Sequence, residues 1–289
     1  MVRRLYEILY EQPKARREIS RLYREDDPRS KSLANALRAF VDKSAGQEEQ
    51  AWIARIETLR NELNASDTEI SITDYGAGSA GVNLTAEEEY EGRVVTRSIG
   101  EVCRTASKLP GWAFLLFKLI RELKPSVCLE LGTCLGISAA YQAAALELNR
   151  RGRIVTLEGA EALASLAKEN LKRLGLERVD VRIGRFRDIL PQVLREQGRV
   201  DFVFIDGHHD EHATLAYFDE IYPFLSEGGA VVFDDISWSR GMERAWEAMA
   251  SDERIRVSVD MRDVGICIMA GSPAEKKSIY SVAAARLDR

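Results

Sequence analysis

Residues 128–140 read CLELGTCLGISAA, and the rest of the chain is best read outward from them. An apolar run closes on Glu130 and Leu131. Gly132 and Gly136 follow, and a helical pattern then begins. Glycine lets a chain turn sharply and lets a ligand approach the backbone. The spacing is not the G-x-G-x-x-G of a dinucleotide site. A turn at the carboxyl end of a first strand is nevertheless where open α/β sheets bind ligands.

Strand-like runs recur on the carboxyl side: SVCLEL (126–131), RIVTLE (153–158), DVRI (180–183), DFVFID (201–206) and AVVFDD (230–235). Amphipathic stretches at 137–149, 161–174, 187–197, 212–225 and 239–250 alternate with them. Continuously apolar strands are those buried on both faces, as in a parallel sheet, and the alternation predicts a doubly wound α/β domain. Two further runs at 255–260 and 264–269, separated by a short break, predict a closing antiparallel hairpin. The expected fold is therefore Rossmann-like: a seven-stranded, mostly parallel sheet over residues 98–270, with helices also expected at 98–108 and 112–123.

Residues 1–97 read as a helical extension, a lid or an oligomerisation element, and 271–289 as a peripheral tail. Leu5, Ile8 and Leu9 form one apolar face. Leu33, Leu37, Phe40 and Val41 form a second, and Trp52, Ile53, Ile56, Leu59 and Leu63 a third. EDDPRS (25–30) and DKSAGQ (42–47) break the helices. Residues 71–81 read as an extended piece leading into a Gly/Ser loop, and 82–97 show no period.

A chain of 289 residues with 45% hydrophobic content can bury a sizeable core. Its net charge of -5 argues against a nucleic-acid partner. Cys103, Cys128, Cys134 and Cys267 form no C-x-x-C pair and read as reduced intracellular thiols. The amino terminus lacks the apolar core of a signal peptide. No run approaches the ~18 apolar residues that span a membrane, so a cytoplasmic location is expected.

Glu158 ends the second strand, where an acid can accept hydrogen bonds from two ribose hydroxyls. The plainer alternative is that the glycines close a turn and Glu158 caps a helix. Successive strand ends carrying both features favour a nucleoside-type ligand. LELGTCLGIS (129–138) resembles the first motif of class I S-adenosylmethionine-dependent methyltransferases, in particular the catechol O-methyltransferase-like group. The resemblance covers about residues 110 to 270, including GRFRDILPQ (184–192). It implies that Gly132, Thr133, Gly136 and Ser138 surround the methionine end of the cofactor, that Glu158 holds the ribose, and that Phe186 and Arg187 lie near the adenine. Glu130 and Asp206 complete the implied cofactor set. Arg185 and Phe186 depart from the small residues of the family pattern.

Asp206 ends the fourth strand, and Asp234 with Asp235 ends the fifth. These ends share one edge of a parallel sheet, so the three carboxylates can converge. Buried acids repel one another unless something positive lies between them. A hard cation such as Mg2+ would meet that need, and the resembling family holds a cation at these positions. The alternative is that the acids cap the following helices.

All three histidines, His208, His209 and His212, follow the fourth strand. His209 stands three residues after Asp206, where the resembling family carries the lysine that takes the substrate proton. A neutral imidazole can serve as that base. A zinc site is disfavoured, because adjacent histidines rarely aim at one metal and no catalytic Glu follows His208 in an H-E-x-x-H pattern. Trp238 is a candidate wall of the substrate pocket. Asp74 and Tyr75 are weaker candidates for residues brought over the site.

The expected function is O-methylation of a hydroxyl on a small molecule, with S-adenosylmethionine as donor and a divalent cation assisting. The alternatives are a metal-independent carboxyl methyltransferase of a peptide or small molecule, a nicotinamide-dependent oxidoreductase, and a non-catalytic nucleoside-binding module. The extension is also a candidate homodimer contact.

Overall fold

In the computed structural model, residues 11–75, 92–271 and 277–282 are described. Three helices come first: α1 (Gln12–Tyr23), α2 (Pro28–Val41) and α3 (Gln47–Asn64). Their breaks fall where EDDPRS and DKSAGQ put them. Asp27 caps α2 by accepting from the Ser30 N–H, and Pro28 occupies the first turn, where a missing N–H removes no helical bond. Leu5, Ile8 and Leu9 lie outside the described residues.

A ribbon follows, β1 (Glu69–Asp74) paired antiparallel with β2 (Arg93–Ser98). β2 lies in the stretch that shows no period. It is largely exposed, with Val94 at 68%, so no buried face imposes the two-residue alternation that marks a strand.

The remaining elements are α4 (Ile99–Ala106), α5 (Pro110–Leu123), β3 (Val127–Leu131), α6 (Ile137–Asn149), β4 (Arg153–Glu158), α7 (Glu161–Arg173), β5 (Val179–Ile183), α8 (Phe186–Gln197), β6 (Val200–Ile205), α9 (Glu211–Ile221), β7 (Leu225–Phe233), α10 (Arg240–Ser251), β8 (Ile255–Asp260), β9 (Gly265–Met269) and β10 (Ser278–Ser281). The sheet order is β10-β8-β9-β7-β6-β3-β4-β5. From β5 to β7 every neighbouring pair is parallel. β9 runs antiparallel to both β7 and β8, as the hairpin expectation requires. Every residue of β3 is buried, Glu130 included, which is why the rest of that strand is apolar.

The seven expected strands are joined by an eighth. β10 pairs parallel with β8 inside the stretch read as a peripheral tail. Its four residues are too few to show a pattern. Tyr280 is buried there, and its hydroxyl donates to Glu25.

Two apolar layers enclose the sheet. Helices α1, α2, α3, α5 and α6 share one cluster with one sheet face, and α8, α9 and α10 cover the other. Ile56, Leu59 and Leu63 of the third expected apolar stripe are buried in the first layer, with Trp52 and Ile53 packed against it. Polar ties fix α3: Glu49 pairs with Lys118 and Arg121, and Tyr141 donates to Glu57 at 2.8 Å. Among the described residues, no helix is long and apolar enough to cross a membrane.

The chain steps outward from β3 to β4 and β5, then returns to β6 on the other side of β3. Such a reversal opens a crevice between the carboxyl ends of the two flanking strands, here β3 and β6. The sequence-predicted residues Gly132, Glu158, Asp206 and Asp234 all follow or end strands on that edge.

Candidate active site

The turn after β3 is forced by close approach. Gly132 has φ +107°, and a Cβ there would lie 2.0 Å from the Asp206 carbonyl oxygen. The N–H groups of Gly132 and Thr133 both donate to the Leu157 carbonyl. Gly136, at φ +82°, opens α6 and faces Ala167. The loop is therefore pinned between the ends of β4 and β6.

Glu158 accepts the Cys134 N–H at 2.8 Å and the Ala160 N–H at 2.9 Å. Burial pushes its carboxyl above the usual range, and these backbone donors only partly offset that. Glu130 lies deeper and is fully buried, accepting from Gln142 and Thr156 at 2.6 Å each. Burial, with the nearby Asp206 charge adding to it, pushes Glu130 up to about 8. Thr133 and Ser138 belong to the same interior network, Thr133 through Thr156 and Ser138 through Glu130.

Asp206 extends β6, its N–H bonding the Leu131 carbonyl, and Asp234 extends β7 in the same way toward Ile205. Neighbouring parallel strands thus deliver two carboxylates side by side. The ammonium of Lys108 lies between them. It forms an ion pair with Asp234 and stands 3.2 Å from Asp206 Oδ2. The Lys108 side chain is 11% exposed and that of Asp234 2%. Lys108 belongs to the short link between α4 and α5, and its Nζ also lies 5.7 Å from the Phe204 ring centre.

Asp235 adopts φ +51° and meets His209 instead. Among the described residues, no three His, Cys, Asp or Glu side chains gather as a metal-holding group. The expected three-carboxylate cation site does not fit this arrangement, because a cationic side chain of the protein already stands between two of the acids.

The histidines separate into three environments. His208 and His209 both have positive φ, +66° and +39°. The preceding Gly207 packs so closely under Phe186 that a Cβ would meet the ring at 2.7 Å. Left-handed non-glycine residues are costly, and such strain concentrates at functional sites. His209 Nε2 is 3.8 Å from both Asp206 Oδ1 and Asp235 Oδ2, and its ring lies 5.9 Å from that of Trp238. His208 bonds the Tyr217 hydroxyl through Nδ1 at 2.9 Å and sits edge-on to Phe186. His212 is exposed in the first turn of α9, a helix capped by Asp210.

Phe186 begins α8 and packs on Gly207, His208 and Tyr217. Arg187 is exposed beside Asp188. The Tyr75 ring lies against Gly159, next to Glu158, with Arg185 5.9 Å away. Asp74 ends β1 opposite Arg93. The structure thus gathers Gly132, Glu158, Asp206, Asp234, Asp235, His209 and Trp238 along one sheet edge, with Tyr75 at its β4 end.

Sequence reasoning missed Lys108. The available signal was the argument from charge: buried acids require a positive partner, and a lysine meets that need as well as a metal does.

Residues 129–236 match the family described as a methyltransferase domain. The catechol O-methyltransferase of Niastella koreensis is 38% identical over 144 residues, covering 49% of this chain and 63% of that protein. The catechol O-methyltransferase of Mycobacterium tuberculosis is 35% identical over 109 residues, 37% of this chain and 47% of that protein. The chain therefore spans between about half and just under two thirds of the length of these curated relatives. Among solved structures, the O-methyltransferase TomG from Streptomyces achromogenes, in complex with SAM, aligns with a TM-score of 0.50 at 24% identity, over 57% of this chain and 82% of that one. SAH-bound Podospora anserina methyltransferase PaMTH1 aligns with a TM-score of 0.50 at 20% identity, over 57% and 80%. These two likenesses concern the fold. With the glycine turn, the acid ending β4 and the mostly parallel sheet, residues 129–236 match a methyltransferase domain, and the chain is similar in sequence to catechol O-methyltransferases over about half of its length.

Proposed function

We propose that this protein transfers the methyl group of S-adenosylmethionine to a hydroxyl of a small molecule, with His209 as the base. The observation that carries this reading is the position of His209. It is held against Asp206, Asp235 and Trp238, and Asp206 in turn abuts the Gly132 turn.

The Gly132–Gly136 turn and the amino end of α6 receive the methionine part of the cofactor, where backbone N–H groups favour a carboxylate. Glu158 keeps lone pairs beyond those bonded to Cys134 and Ala160, and these accept the ribose hydroxyls. Tyr75, Phe186 and Arg187 border the adenine end. The acceptor hydroxyl lies between His209 and the sulfonium methyl, with Trp238 as an aromatic wall. His209 removes the hydroxyl proton. The oxygen then attacks the methyl carbon in line, so that an O–C bond forms as the S–C bond breaks and S-adenosylhomocysteine leaves. Asp206 and Asp235 favour the imidazolium that results. A divalent cation, the other expected participant, would have to displace Lys108 from Asp206 and Asp234.

The relatives named catechol O-methyltransferases support a catechol-like acceptor. A carboxyl acceptor of a small molecule or peptide is the second reading, but it is already anionic and gives His209 no proton to take. A screen with labelled methyl donor tests the choice. Alkali-stable methyl ethers from phenolic acceptors, lost in His209→Ala, are expected. Alkali-labile methyl esters alone would overturn the reading.

A further inference from the structure

We propose that Lys108 is the resident cation of this site, so that the protein neither binds a divalent metal at Asp206 and Asp234 nor needs one for methyl transfer. The inference deepens the proposed O-methyltransferase reading and rests on it for the second half of that statement.

Two carboxylates at the ends of adjacent strands create a negative site that requires compensation. Lys108 supplies it with a compact charge, contacting Asp234 and lying 3.2 Å from Asp206. A Mg2+ ion binds carboxylate oxygens at ~2.0–2.1 Å in a near-ideal octahedron and sheds water reluctantly. It cannot share those oxygens with an ammonium between them. The lysine is not on a long loop that could swing clear. It sits in a short link whose ends are fixed by α4 and by α5, and α5 buries Trp112, Ala113, Leu115 and Phe117. The third acid, Asp235, contacts His209, so the metal would also have to recruit that side chain away from the imidazole.

Removing the ammonium would leave two acids facing each other, the condition under which a divalent cation binds. Lys108→Met should therefore create a metal site where the wild type has none. The test is titration of Mn2+ into both proteins, read by the electron paramagnetic resonance signal of free Mn2+, with methyl transfer followed separately in EDTA. The wild type is expected to leave the free Mn2+ signal unchanged and to keep its turnover in EDTA. The variant is expected to sequester Mn2+, and the further change Asp234→Asn should abolish that binding.

Stoichiometric Mn2+ binding by the wild type that is lost in Asp234→Asn would overturn the proposal. So would a folded Lys108→Met variant that binds no Mn2+, because the exclusion would then not be due to the lysine. If the variant does not fold, the wild-type titration with its Asp234→Asn control still decides. Mn2+ binding is read without any methyl acceptor, so failure of the methyltransferase reading leaves this result separately interpretable.

Discussion

Two of the places where this molecule sets carboxylates against cations out of full solvent contact are built differently. At the β10 edge, Glu25 accepts from the Ser30 hydroxyl at 2.6 Å and the Tyr280 hydroxyl at 2.5 Å, while Arg256 bonds Asp27 at 2.5 Å and lies 3.4 Å from Glu25. Burial alone would raise the Glu25 carboxyl, but these bonds and the Arg256 charge outweigh it and hold the group below its ordinary value. At the β3–β6–β7 edge, the acids meet Lys108 and an imidazole 3.8 Å away. His208, His209 and Asp235 all adopt left-handed backbone there. The first cluster is saturated with short hydrogen bonds and joins α1, α2 and the sheet. The second sets an ammonium and an imidazole among its acids on a strained backbone, and such strain concentrates at functional sites.

The largest expected effect comes from the site edge. Gly132→Ala places a methyl group on the Asp206 carbonyl at a positive φ and should cost about 2–5 kcal/mol of stability. It should also abolish S-adenosylhomocysteine binding, and calorimetry and urea unfolding measure the two losses. His209→Ala should lower turnover by about 10²- to 10⁴-fold while leaving S-adenosylhomocysteine affinity intact. Retained turnover would remove His209 from the mechanism.

A pH series separates the two electrostatic designs. The Glu130 carboxyl is raised to about 8 in the folded state. Its contribution is fully present below its unfolded value and is lost as pH rises through about 8. Glu130→Gln, which keeps the side chain neutral, should therefore gain stability over the wild type increasingly as pH rises. Parallel thermal-unfolding curves would contradict the burial argument. Glu25 has the opposite sign: its lowered carboxyl contributes above its unfolded value and loses that contribution as pH falls through the folded value. The smallest effect is expected from Tyr280→Phe, about 1.5–3 kcal/mol from one bond to a carboxylate. It should leave turnover unchanged, because β10 is separated from β7 by two strands of the sheet and so lies apart from the proposed site.

The sheet could be read from sequence wherever burial on both faces wrote mainly apolar runs, as in β3 and β6. The Gly132 and Gly136 turn could be read because close backbone approach demands glycine. β2 could not, because an exposed ribbon carries no periodic constraint, and β10 was too short to carry one. The site was legible one strand end at a time. Asp206, Asp234 and His209 follow apolar runs and so announce themselves. Lys108 does not: nothing local marks the lysine of an interhelical link as a partner of two distant acids. His208 likewise acquires its role only when α8 and α9 bring Phe186 and Tyr217 to it.

The most direct measurement is calorimetric titration of the protein with S-adenosylhomocysteine, first in EDTA and then with Mg2+. Saturable binding of equal affinity in both, lost in Gly132→Ala, is the predicted result. Absence of binding would contradict the cofactor cradle at the β3 edge, and binding that depends on Mg2+ would contradict the place given to Lys108.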